Sequence, residues 1–104
     1  ECHLVDANKV RVRFSKLMSE DSNLLLDCGS YDILVDGKSV GPVKNVEVSE
    51  RQDETRLRSE KEEHLKGVRS VVIQCSSRLM GSSLQVLFRK SLSDIDGNMV
   101  AVNN

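Results

Sequence analysis

The stretch KVRVRF, residues 9–14, alternates without a break: Val10, Val12 and Phe14 fall on one side, Lys9, Arg11 and Arg13 on the other. A period of two belongs to a strand with one face in a core and one in water; a helix would scatter these residues around its axis. The alternation returns in YDILVD (31–36), with Tyr31, Ile33 and Val35 on one face, and in SLQVLFRK (83–90), with Leu84, Val86 and Phe88 on one face. Three further segments read as strands: the apolar run NLLLDC (23–28), the β-branched VRSVVIQC (68–75) and NMVAV (98–102). Asp36-Gly37 and Asp96-Gly97 are strong hairpin turns, because a two-residue type I′ turn needs positive φ at both central positions. After Asp36-Gly37 the chain returns through KSVGPVKNVEVS, where Gly41-Pro42 signals a bend or an edge and Val46 and Val48 resume the register. The expectation is a single all-β domain over residues 1–104, a sandwich of about seven strands.

Residues 49–67 break the rhythm. Eleven of the seventeen residues in 50–66 are charged, and only Leu57 and Leu65 are strongly apolar. Ser49 with Gln52 and Ser59 with Glu62 fit capping boxes, and Glu54/Arg58 and Glu62/Lys66 are favourable i, i+4 pairs. Gly67 stands where a helix C′ glycine belongs. These signals predict a charged helical or flexible insertion near residues 49–67.

Composition excludes more than it assigns. With 15 basic and 16 acidic residues the net charge is −1, so no general attraction for nucleic acid or an anionic membrane exists. Aromatic residues make up 3% of the chain, which leaves an aliphatic core. No apolar run approaches the ~20 residues needed to span a bilayer. The two histidines, His3 and His64, stand in no metal-ligand spacing, and Asp94–Asn98 reads as a turn, with glycine in the wrong place for a calcium loop. No phosphate-cradling glycine loop, nucleophile elbow or activated cysteine is present, so neither an enzyme nor a cofactor nor a small-molecule substrate is expected.

Two residue sets remain. Arg11, Arg13, Arg89 and Lys90 would form a basic stripe if their strands were neighbours, and an OB-like nucleic-acid binder is the reading that would use it. Solvated strand faces explain the same residues without a ligand. Cys2, Cys28 and Cys75 are odd in number, so at most one internal bridge forms. Reduced, buried thiols are the simpler expectation. A Cys28–Cys75 disulfide would instead suit a secreted or cell-surface recognition ectodomain. Alkylation with and without reductant separates the two. The lack of an Asn-x-Ser/Thr sequon leans towards an intracellular protein, and the start at Glu1 towards a domain excised from a larger one.

GSYDILVDGKSVGPVKNVEV, residues 29–48, resembles the late hairpin of filamin-type immunoglobulin-like repeats. Gly29, Tyr31, Ile33, Val35, Gly37, Val40, Gly41, Pro42, Val46 and Val48 carry the likeness. The Gly-Ser-Pro-Phe element of such repeats is reduced here to Gly41-Pro42-Val43, and 56 residues follow a hairpin that would close a repeat. The resemblance implies an immunoglobulin-like sandwich and a non-catalytic interaction or spacer module of a multidomain protein. It also implies a protein partner, or self-association, through an open strand edge at Gly41, Val43, Lys44 and Val46.

Overall fold

The computed structural model describes residues 2–20, 24–81, 83–90, 92–97 and 99–100. A hairpin opens the chain, β1 (Cys2–Asp6) and β2 (Lys9–Met18). A 3-10 turn at Cys28–Ser30 leads into β3 (Tyr31–Val35) and the two-residue β4 (Lys38–Ser39). Two long strands follow, β5 (Val43–Arg58) and β6 (Lys61–Cys75), then β7 (Leu84–Phe88), β8 (Leu92–Ser93) and β9 (Met99–Val100). All pairings between these strands are antiparallel. One sheet has the order β1-β2-β6-β5, a second the order β4-β3-β7, and β8 pairs with β9.

The alternating segments form strands because their apolar sides meet. Val10, Val12 and Phe14 of β2, Val71, Ile73 and Cys75 of β6 and Val46 of β5 are buried in one cluster with Tyr31 and Ile33 of β3 and Val86 of β7. Phe88 links the two sheets, its ring 6.1 Å from Phe14 and 5.6 Å edge-on from Tyr31. With so few aromatics, this trio is the one place where ring geometry adds to aliphatic burial. Asp36 and Gly37 take φ of 52° and 83°, the type I′ turn that their sequence requires.

Two expectations need correction, and one strand stands outside the expected set. Residues 49–67 are not a helical or flexible insertion: they are the far halves of β5 and β6, joined by a two-residue turn at Ser59-Glu60. In the register of this ladder Asp53 pairs with Lys66 and Arg56 with Glu63, while Arg58 pairs with Lys61, so the charged residues spaced as for a helix belong to a hairpin instead. Gly67 is buried beneath Leu17 and Ile95 and caps no helix. Secondly, residues 24–28 of the expected strand 23–28 form a turn running into the 3-10 segment, while Leu25 still reaches the core. The additional strand is β1: residues 2–6, which carry no alternation, gain strand structure by pairing with β2. Of the last expected strand, Met99–Val100 forms β9, and residues 98 and 101–102 lie outside the described residues.

Past Val68, the last β6 residue paired with β2, the β5/β6 ladder continues alone for seven pairs, from Gln52–Gly67 to Arg58–Lys61. At ~3.4 Å per residue this makes a two-stranded ribbon roughly 23 Å long, which explains the elongated envelope of 51 × 22 × 20 Å. Arg69 fixes its foot, donating from Nε to Gln52 Oε1 (2.9 Å) and from Nη1 to the Phe14 carbonyl (3.1 Å).

Candidate functional site at the outer edge of β5

β5 is the terminal strand of the four-stranded sheet, so its outer side carries a row of main-chain groups with no neighbour in that sheet. Register shifts interrupt its pairing with β6 between Val43 and Asn45, between Val48 and Glu50, and between Glu50 and Arg51. The strand is thereby divided into a short regular stretch, Asn45–Val48, and a long one, Arg51–Arg58. Bulges of this kind bend an edge and restrict what can pair with it.

Gly41 and Pro42 set the start of β5. Gly41 has φ of 103°, a left-handed conformation that glycine adopts without strain, and it is exposed with Pro42 between β4 and β5. Val43 is half-buried against the core, Lys44 is exposed at the first register shift and Val46 is buried. Beside this segment lies a groove of about 490 Å³ lined by Cys28, Gly29, Tyr31, Asp32, Ser39, Gly41, Pro42, Val43 and Arg89. Its wall is well held. Tyr31 Oη donates to the Leu25 carbonyl at 2.5 Å, and burial pushes the phenol pKa up, so this hydroxyl stays a donor. The Asp27 side chain accepts from the Gly29 N–H (3.0 Å) and from Lys90 Nζ (3.0 Å), which together hold its carboxyl below the usual range.

The structure thus brings Gly41 and Val43 to one groove with Arg89 and Cys28, and sets Lys44 and Val46 along the adjoining strand. It does not gather the four basic residues. Arg11 and Arg13 stand on the solvent face of β2, whereas Arg89 and Lys90 follow β7 in the other sheet. Arg13 lies 3.1 Å from Glu50, Arg89 lies 3.3 Å from Asp32, and Lys90 bonds Asp27. All three cysteines are free thiols; Cys75 is buried, which raises its thiol pKa, and Cys28 is half-buried at the groove.

A second, polar cleft of about 330 Å³ lies at the foot of the ribbon, with Lys16, Asp53, Glu54, Arg69 and Asp94 in its lining. The buried Asp94 organises the β8–β9 turn: its carboxylate accepts from the Asp96 N–H (2.9 Å) and its carbonyl from the Gly97 N–H (3.1 Å). Among the described residues, no group of three or more His, Cys, Asp or Glu is placed to hold a metal ion. No helix among them is long and apolar enough to cross a membrane.

In the sequence Gly41-Pro42 marks the start of β5, whereas no local pattern marks the reach of the edge. The only signal for it was cross-strand charge complementarity between residues 53–56 and 63–66, visible once the turn is placed at Ser59-Glu60. No known protein family, characterised protein or solved structure matches the chain.

Proposed function

We propose that this chain is a non-catalytic, immunoglobulin-like sandwich module of a larger intracellular protein, which takes an extended segment of a protein partner along the outer side of β5. The observation that carries the reading is the regular stretch Asn45–Val48 on the sheet's terminal strand, next to the groove at Gly41 and Val43. An added strand would gain main-chain hydrogen bonds along Asn45–Val48 and a half-apolar groove for one side chain near Val43. The register shifts on either side limit such a segment to a few residues. Two features support the immunoglobulin-like class: one core shared by two antiparallel sheets, and a tyrosine at the start of β3 that bonds back to a carbonyl six residues upstream, as tyrosine corners do. The likeness of residues 29–48 to filamin-type repeats points the same way.

Selection of displayed linear peptides against the folded chain tests the proposal. The expected binders protect the amides of residues 45–48 from hydrogen exchange. Lys44→Pro, at the first register shift, is expected to abolish their binding while leaving the circular dichroism and the thermal midpoint unchanged. Binders that protect other segments, or that tolerate Lys44→Pro, would show that this edge is not the site.

A further inference from the structure

Beyond its last register shift β5 runs regularly from Arg51 to Arg58, paired with β6 alone from Gln52 outward. A two-stranded ribbon is marginal in water without further strands or an apolar face. This one has little apolar surface to rely on: in residues 52–58 and 61–67 only Leu57, 79% exposed, and the half-buried Leu65 are strongly apolar. We propose that the ribbon is completed by a second copy of this chain, the outer edges of the two β5 strands pairing antiparallel about a two-fold axis at Thr55. The inference rests on the reading of β5 as an interaction edge, and names the occupant of its outer half.

Hydrogen-bond parity and charge select this register. The turn Ser59-Glu60 has two residues, both at positive φ (50° and 64°), and closes on the Arg58–Lys61 pair. In a two-residue hairpin the closing pair exchanges both hydrogen bonds, and bonded and non-bonded pairs alternate from there. Arg56, Glu54 and Gln52 therefore bond inward to β6, and the main-chain groups of Leu57, Thr55 and Asp53 point outward. A second β5 must bond to these outward residues with its own outward residues, so the two-fold axis passes through a residue position. Among positions 53 to 57, four axes oppose like charges: Asp53 to itself, Glu54 to itself, Arg56 to itself and, with the axis at Leu57, Arg56 to Arg58. Along the regular stretch Arg51–Arg58 the axis at Thr55 opposes none. It sets Glu54 opposite Arg56 of the second copy twice, Thr55 opposite Thr55, Asp53 opposite Leu57 and Gln52 opposite Arg58. Opposite charges and Thr–Thr pairs are both favourable across a ladder. Arg51 then stands opposite Ser59 of the second copy, so each turn reaches only the foot of the other ribbon and the two sandwich bodies lie at opposite ends.

Sedimentation equilibrium over a wide concentration range, with amide exchange at both ends of it, tests the proposal. The expected species at high concentration is a dimer in which the amides of Asp53, Thr55 and Leu57 gain protection that they lack in dilute solution. Glu54→Arg is expected to raise the dissociation constant at least about tenfold, since both symmetric pairs become like-charged. Glu54→Arg/Arg56→Glu/Glu63→Arg swaps the charges across the interface, keeps positions 56 and 63 opposite in sign within each chain, and is expected to restore the dimer. A chain that stays monomeric, a dimer indifferent to Glu54→Arg, or a triple variant that does not recover would overturn the proposal. A monomer that still binds selected peptides at Asn45–Val48 would refute self-pairing alone, whereas a dimer that binds none would refute only the peptide-edge reading.

Discussion

Gly67 shows how much a single residue decides here. An added Cβ would lie 2.6 Å from Leu17 Cβ and 2.9 Å from Ile95 Cγ2, closer than packed carbons tolerate. Leu17 Cβ sits next to its own backbone and cannot swing aside, so the strand itself would have to move. Gly67→Ala is therefore expected to lower stability by about 1–3 kcal/mol, the cost of overpacking a filled site, read as a reduced urea midpoint with an unchanged slope. The sequence marks this glycine correctly as special but suggests the wrong reason, because a helix cap and a close approach between strands both select for the missing side chain. Tyr31 is the opposite case. Its alternation with Ile33 and Val35 places the ring in the core from sequence alone, whereas its hydroxyl's partner, the Leu25 carbonyl, lies in a turn that no pattern announces.

At the scale of elements, the two hairpin turns contrast. Asp36-Gly37 is suited to positive φ, and its turn was legible. Ser59-Glu60 takes the same conformation with residues that resist it, at a cost of order 1 kcal/mol each. Glu54/Arg58 and Glu62/Lys66 offered a helical alternative with equal plausibility. Replacing Ser59→Asn together with Glu60→Gly is expected to stabilise the ribbon by about 1 kcal/mol. Slower amide exchange at residues 52, 54 and 56, measured in dilute solution where self-pairing does not contribute, checks it. The candidate edge was legible only at its start. Gly41-Pro42 marks a bend in any register, but that β5 is terminal, and where its pairing shifts, depends on which strands lie beside it, a non-local outcome.

In the whole molecule, ion pairs tie segments that the sheets leave apart. Arg51 bonds both oxygens of Glu20, at 2.6 and 3.2 Å, joining the segment after β2 to β5, and Lys90 with Asp27 joins the segment after β7 to the 3-10 turn. The hydrogen bond from Arg51 lowers the Glu20 pKa, and the Gly29 N–H followed by Lys90 lowers that of Asp27. Carboxyls depressed in the folded state stabilise it above their unfolded pKa, and that contribution fades as pH falls through the folded values. The urea midpoint is thus expected to hold level from neutral pH to about pH 5 and to decline below about pH 4, with a modest amplitude because all four groups are largely solvated. Rising salt at neutral pH should reproduce part of the loss, because it screens the same exposed pairs.

By itself the sequence determined the all-β class, the buried faces of β2, β3 and β7, and the turn at Asp36-Gly37. Each of these is written in a local period of two or in the φ preference of adjacent residues. Only the tertiary structure decided that residues 49–67 extend two strands into a ribbon, that β1 forms on β2, that the basic residues divide between two sheets, and that β5 ends a sheet. Those outcomes depend on contacts between residues far apart in the chain, where charge pairs serve a helix or a ladder equally well and only the neighbouring strands choose between them.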